Sequence, residues 1–331
     1  MDLSPRPLLD TDPDAELFAG RDEPLSRVLT AAGAALNVLV VGERGAGKTS
    51  LLRQAARRLR EQGADVAFVD GRGATGIVSL LELVTAALAR DPFVAVPEAS
   101  SQVIPELAAL TLLARVVGPD RQPVVLLDEL PDGPTGHALF GRFRDELWQL
   151  PVSWVVAVAA DDRAAVTTPP ADAFFARVVD LAPLTADECR AILAARVGTA
   201  APPDANAAVA AACDGTPRHL LFLAREAAAD GWRTDRAVAT AADREDRLER
   251  LSAPARRLVA ELEASGPLYA SDPLVQARLG WSRVRIVQVL GELVEAGLVG
   301  SVRAVGDRGR SRTLYSLHPP RGDEVTAGGG R

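Results

Sequence analysis

The chain is nearly devoid of lysine. Of its 37 basic residues only Lys48 is a lysine, and the others are all arginine. Cysteine and histidine are also scarce. The two cysteines, Cys189 and Cys213, have no metal or redox spacing, and are expected to be small buried hydrophobes of a reduced, cytoplasmic protein. The isolated histidines His137, His219 and His318 give no zinc pattern. No apolar run approaches the ~20 residues that a membrane helix needs. The longest candidate, 152–160, reads as a buried strand, and the N-terminal residues lack the basic-then-apolar signal pattern. These absences argue against a disulfide scaffold, a zinc module and a membrane partner.

What remains is a globular composition, 48% hydrophobic and 24% charged over 331 residues, enough for about two domains. The net charge of −7 is unevenly spread. Residues 252–321 carry ten arginines against six acids, whereas the preceding residues are strongly acidic. Such segregation can mark a nucleic-acid face. The single lysine sits in Gly42-Glu43-Arg44-Gly45-Ala46-Gly47-Lys48-Thr49, followed by Ser50. This is the glycine-rich G-x-x-x-x-G-K-T loop that cradles phosphates. A compact ammonium fits between phosphate oxygens under tight glycine turns, where a planar guanidinium is too wide. In a chain that otherwise uses arginine, the retained lysine points to phosphate chemistry.

The periodicity supports that placement. Apolar 37–41 leads into the loop as a strand, and 49–60 follows as a helix. Further strands are expected at 66–70, 123–127, 152–159 and 177–181, with helices at 25–35, 77–90 and 103–117. Strands alternating with helices predict a parallel α/β sheet. After Pro183 the pattern turns helical, opening on a capping box at Thr185–Glu188. From Ser252 three helices, at 254–264, 272–279 and 282–296, precede two β segments, at 298–304 and 312–317, which is a winged-helix order. The expected organisation is a disordered tail at 1–15, an α/β nucleotide-binding core at 16–183, a helical lid at 184–251, a winged helix at 252–318 and a flexible tail at 319–331.

The chemistry follows from where the motifs fall. Backbone amides of 42–50 and the helix N-terminus would hold phosphates, with Lys48 reaching the β- and γ-phosphates of ATP. Val124-Val125-Leu126-Leu127-Asp128-Glu129 ends an apolar strand on two acids. Asp128 would join the Thr49 hydroxyl around Mg²⁺, and Glu129 would polarise the attacking water. With these motifs in place the chain resembles an AAA+ ATPase of the origin-recognition/initiator-type and STAND-related branch. Phe18-Ala19-Gly20-Arg21-Asp22 resembles that branch's adenine-side segment, which implies nucleotide contacts for Gly20 and Arg21. Gly215-Thr216-Pro217-Arg218 resembles its sensor-2 segment, which implies that Arg218 reaches the γ-phosphate. Arg177 falls where such families carry an arginine finger acting on a second copy in a homo-oligomer. The strand at 152–159 departs from the family by ending on Ala159-Ala160-Asp161-Asp162 without a neutral polar sensor, which implies slow ATP turnover.

In the C-terminal module, 282–296 would be the recognition helix. Ile286, Val287, Leu290, Leu293 and Val294 are expected to face its core. Arg285 and Gln288 would read base edges of double-stranded DNA, with Arg303, Arg308, Arg310 and Arg312 on phosphates. The alternative is a STAND-like signalling or scaffold protein whose winged helix holds a protein partner, which Glu292 and Glu295 favour.

Overall fold

A computed structural model of the chain describes residues 1–89, 104–305 and 311–317. It divides into two compact units, 1–238 and 239–331, with the division inside a helix rather than at Ser252.

In the first unit, α1 (Asp12–Glu16) and α2 (Asp22–Gly33) precede β1 (Val38–Gly42) and α3 (Lys48–Glu61). Then come β2 (Val66–Asp70), α4 (Ile77–Leu88), α5 (Pro105–Val117) and β3 (Val124–Asp128). Short helices α6 (Gly133–His137) and α7 (Arg144–Trp148) lead to β4 (Ser153–Ala159), and α8 (Arg163–Thr167) leads to β5 (Arg177–Leu181). Helices α9 (Ala186–Val197), α10 (Pro203–Ala212) and α11 (Pro217–Ala229) follow, and α12 (Thr234–Glu249) crosses the division. The five strands form one parallel sheet in the order β2-β3-β4-β1-β5.

Strand alternation sorts the core into two layers. Val38, Val40, Leu126 and Val155 pack against Val28, Leu51, Leu52 and Ala55 of α2 and α3. Leu39, Val41, Leu127 and Val156 face the other way, towards Leu80, Leu81 and Leu113 of α4 and α5. That second layer is closed by aromatic rings: Phe140 stacks on Phe174 at 5.0 Å and meets Trp154 edge-on at 6.3 Å. With both faces covered, the inner strands β1, β3 and β4 are nearly continuous apolar runs. Their C-terminal ends are left to carry polar chemistry.

The first fifteen residues are part of this unit, which corrects the expectation of a disordered tail. Leu3 and Leu8 are buried. Asp2 N–H donates to the Arg196 carbonyl on α9 at 3.1 Å, and Leu8 N–H donates to Ser50 Oγ on α3 at 3.0 Å. Asp10 pairs with Arg60, and Asp12 pairs with Arg57 at 2.6 Å. Asp14 is buried, receives Arg6 Nη2 at 2.8 Å and accepts the Leu9 amide at 2.6 Å. Of the four aspartates that read as disorder, Asp10 and Asp12 pair with the distant Arg60 and Arg57, and Asp2 and Asp14 with Arg6 in the same segment.

The Arg6 hydrogen bond holds the Asp14 carboxyl down to about 2. A depressed carboxyl stabilises the fold above its ordinary range and loses that contribution as pH falls towards the folded value. Asp14→Asn is therefore expected to destabilise the protein by about 1–2 kcal/mol at neutral pH. In chemical unfolding followed across pH, the gap to the unaltered chain should narrow as pH falls below the ordinary carboxylate range.

In the second unit, α13 (Ala253–Ser265), β6 (Leu268–Tyr269), α14 (Pro273–Leu279) and α15 (Arg283–Glu295) precede β7 (Gly300–Val305) and β8 (Ser311–Ser316). The strands form a small antiparallel sheet, β6-β8-β7. Strand β6 was not expected; two residues are too few for an alternation to show. Ile286, Val289, Leu290 and Leu293 form the buried stripe of α15 with Leu258, Leu262 and Leu279. Val287 and Val294 are 44% and 40% exposed, which corrects their assignment to the core. The i, i+3, i+4, i+7 stripe begins at Ile286, and each valine sits one residue past it. The tail 319–331 lies outside the described residues. Among the described residues no helix is long and apolar enough to cross a membrane.

Candidate functional site

The P-loop is shaped by two glycines in left-handed backbone, Gly45 (φ 88°) and Gly47 (φ 95°), a region that side chains rarely adopt. Gly47 immediately precedes α3, so the first amides of Lys48, Thr49 and Ser50 have no partner within the helix. Lys48 is buried, and its Nζ donates to the carbonyls of Gly42 at 2.7 Å and Glu43 at 3.0 Å. Burial pushes the Lys48 pKa down, while the charges of Glu129 and Asp128 oppose that shift and those of Arg44 and Arg218 add to it. One cation thus lies within the field of two acids and two further cations, an arrangement suited to polyanionic phosphate.

Asp128 closes β3 and is 2% exposed. Burial lifts its pKa to about 6, although the Thr49 hydroxyl hydrogen-bonds to it. Its Oδ1 has no hydrogen-bond partner among the described residues. A buried carboxylate oxygen without a partner, beside a hydroxyl already directed at the same group, fits a divalent cation with oxygen ligands. Thr49 and Asp128 are thus brought together as a Mg²⁺ pair would require. The next residue, Glu129, is a non-glycine residue in left-handed backbone (φ 59°). Such strain, of order 1–3 kcal/mol, persists where the surroundings over-determine it, often at active sites.

Two residues here escaped the sequence reading. Asp70 ends β2 in register with Asp128, caps the following turn by accepting Arg72 N–H at 3.0 Å, and pairs with Arg72 Nε at 2.9 Å. The Arg72 charge acts on both Glu129 and Asp128. The one available signal was an acid at a second strand's C-terminal end, the same edge that carries Asp128.

The Gly215–Arg218 segment lies directly on the P-loop. Arg218 N–H approaches the Gly45 carbonyl at 3.4 Å, and a Cβ built on Gly45 would stand 3.0 Å from that of Arg218. Pro217 lies over Gly47 in the same way. Gly215 (φ 87°) packs on Pro183, where its carbonyl accepts Leu184 N–H at 2.7 Å. Arg21 is buried; its Nη1 donates to the Ala182 carbonyl at 2.8 Å and its Nη2 approaches that of Ala46 at 3.4 Å. Gly20 lies against Glu188 and Ile192 of α9. Arg21 thus ties the P-loop to the β5–α9 connection through backbone carbonyls. Glu43 and Arg44 are exposed at the rim, and Ser50 faces the N-terminal segment.

Other expected residues are not brought to this place. Arg177 pairs with Val38, at the N-terminal end of the strands and away from Gly42, and is exposed. Asp161 and Asp162, by contrast, follow β4 beside the P-loop, since Ala159 is in register with Gly42; burial raises the Asp162 pKa and the Arg44 charge opposes it. In the second unit Arg285, Gln288, Arg303 and Arg312 are exposed. Arg308 and Arg310 lie outside the described residues. Glu292 accepts Ser252 N–H at 3.0 Å and Ser252 Oγ–H at 2.9 Å, so it buttresses the start of α13 rather than offering a surface charge.

Residues 32–136 match the family model of the AAA domain, a span holding the P-loop and Asp128-Glu129. No curated protein matches the chain. Several solved structures do. An Orc1 protein of Aeropyrum pernix in complex with DNA is 21% identical over 91% of this chain and 89% of that chain, with a TM-score of 0.50. Cdc6p of Pyrobaculum aerophilum is 16% identical over 96% and 93%, at 0.52. A Walker-type ATPase of Pyrococcus abyssi is 17% identical over 96% and 97%, at 0.53. At these identities the likeness is one of fold: a parallel-sheet P-loop core of the AAA+ type with attached helices.

Proposed function

We propose that the chain is an ATP-dependent switch of the AAA+ type, which binds and slowly hydrolyses ATP and couples its nucleotide state to double-stranded DNA through a C-terminal winged helix. The observation that carries this reading is the Thr49–Asp128 pair beside buried Lys48, with Arg218 laid on the same loop. The amides of 45–50 bind phosphate oxygens. Lys48 and Arg218 meet the charge on the phosphates, which builds on the β–γ bridging oxygen of the departing ADP as that bond breaks. Glu129 accepts a proton from the attacking water, whose oxygen bonds to the γ-phosphorus as ADP leaves. Mg²⁺ at Thr49 and Asp128, when bound, neutralises phosphate charge. Since α11 starts on the residues that face the P-loop, loss of the γ-phosphate removes the contact that holds the α9–α11 lid closed. Arg177 would act on a neighbouring copy, since it lies away from its own site.

The DNA half of the reading draws on the basic surplus of 252–321 and on the exposed set Arg285, Gln288, Arg303 and Arg312. The relative of similar fold that was solved with DNA adds support. One observation favours a protein partner instead: Val284, Val287 and Val294 are exposed on the same helix, Val284 at 67%.

Glu129→Gln separates the steps. It should retain ATP and lower turnover about 100-fold or more. Trapped with ATP, it should bind duplex DNA in a salt-dependent manner that is weakened by Arg303→Ala/Arg312→Ala. ATP binding without DNA binding at any salt would remove the DNA half; no ATP binding would remove the whole.

A further inference from the structure

Cys213, Asp214 and His219 flank the turn that delivers Arg218, and the mechanism uses none of them. Cys213 follows α10, and His219 lies in the first turn of α11. The chain folds this seven-residue stretch back on itself. Asp214 Oδ1 lies 3.8 Å from Cys213 Sγ and 3.4 Å from His219 Nδ1, and one ligand atom from each residue falls within 4.8 Å of the others. These are close to the donor–donor edges of a tetrahedral site built on bonds of roughly 2.0–2.3 Å. We propose that Cys213 Sγ, the Asp214 carboxylate and His219 Nδ1 form a binding site for a borderline-soft divalent cation of the zinc class.

Three further features support a built site. Gly215 N–H points at Cys213 Sγ at 3.3 Å, a backbone donor placed where a metal-bound sulfur would accept it. The buried Cys189 sulfur, brought in from α9, lies beside Cys213 as its outer neighbour and accepts from the Cys213 thiol. His219 Nδ1 accepts the Asp214 N–H at 3.0 Å, so its lone pair faces the cluster, and the metal would take the place of that hydrogen bond. Cys213 and Asp214 are not fully buried, so the site is open to solvent, and its fourth position is left to water. Thiolate, imidazole and carboxylate together select zinc over magnesium or calcium. Sequence spacing could not show this, because Cys213-Asp214 and His219 match no finger or knuckle pattern.

The full chain, stripped with chelator under reducing conditions, is titrated with Co²⁺ and then Zn²⁺. One Co²⁺ per chain should bind with a thiolate-to-metal charge-transfer band, and Zn²⁺ should displace it. Cys213→Ser should abolish the band, and His219→Asn should weaken Zn²⁺ binding at least about 10-fold, the low end for loss of even an outer partner. Cys189→Ser, on α9, should keep the band. No band in the reduced wild type overturns the site, as does a band that survives Cys213→Ser. A band lost in Cys189→Ser overturns this donor set. The spectrum is read without ATP, so this result stands apart from the nucleotide reading.

Discussion

Lys48→Ala should weaken ATP binding by about 100-fold or more, the largest loss expected from any single side chain outside the metal pair. A charge-assisted hydrogen bond is worth about 1.5–3 kcal/mol, and Lys48 is placed to make two, to the β- and γ-phosphates. Roughly 3–4 kcal/mol corresponds to ~10²–10³ in affinity. The burial of Lys48 strengthens the case. Its Nζ is held by the Gly42 and Glu43 carbonyls, and Gly45 and Gly47 bring the loop backbone close around it. Lys48→Arg discriminates charge from shape. It keeps the cation but puts a planar fork where a point charge fits, and should recover less than a tenth of the lost affinity. Titration calorimetry with Mg·ATP measures both variants, with far-UV circular dichroism to show that they fold. Affinity for Lys48→Ala within about threefold of the unaltered chain would sink the assignment of Lys48 to phosphate.

What was legible in the sequence was what a short stretch of chain settles by itself. The P-loop needs only its own glycines and the strand before it, and Gly45, Gly47 and Lys48 sit as their spacing requires. The apolar run ending in Asp128 could be read because a parallel strand buried on both faces has no polar residue until its end. The capping box at Thr185 and Glu188 forms as read, since both of its hydrogen bonds lie within one turn. What could not be read depends on partners far along the chain. Asp10 and Asp12 look like disordered charge until Arg60 and Arg57 are folded beside them. Cys189 and Cys213 belong to different helical segments and meet only when α9 packs against the turn after α10. Glu292 counts as surface acid on a helical wheel, yet it serves Ser252, forty residues away. On α15 the sequence offers valine at 284, 287, 289 and 294, and Val289 alone falls on the i, i+3, i+4, i+7 stripe from Ile286 that packs in the core.

Gly71→Ala should lower turnover about 100-fold while leaving ATP affinity within a few-fold of the unaltered chain. A Cβ built on Gly71 would stand 2.1 Å from the Glu129 carbonyl oxygen, well inside contact distance and against backbone rather than a flexible side chain. One of the two must move. Glu129 is the less secure, since its left-handed backbone is already strained and stays in place only because its neighbours leave no alternative. A shift of about 1 Å at the group that orients water is enough to cost ~10² in rate. Binding should be spared, because Lys48, Thr49 and the loop amides belong to the β1–α3 connection, which the Gly71 turn does not carry. Gly73→Ala is the matched control: it lies in the same turn, its added Cβ meets no described atom within 4 Å, and its backbone is not left-handed. Gly71→Ala and Gly73→Ala are compared in steady-state phosphate release and in nucleotide binding. Equal turnover in the two would show that Glu129 does not depend on this close approach. If Gly71→Ala lost binding as well as turnover, the substitution would have disturbed the sheet edge as a whole, including Asp128, to which Asp70 is paired in register.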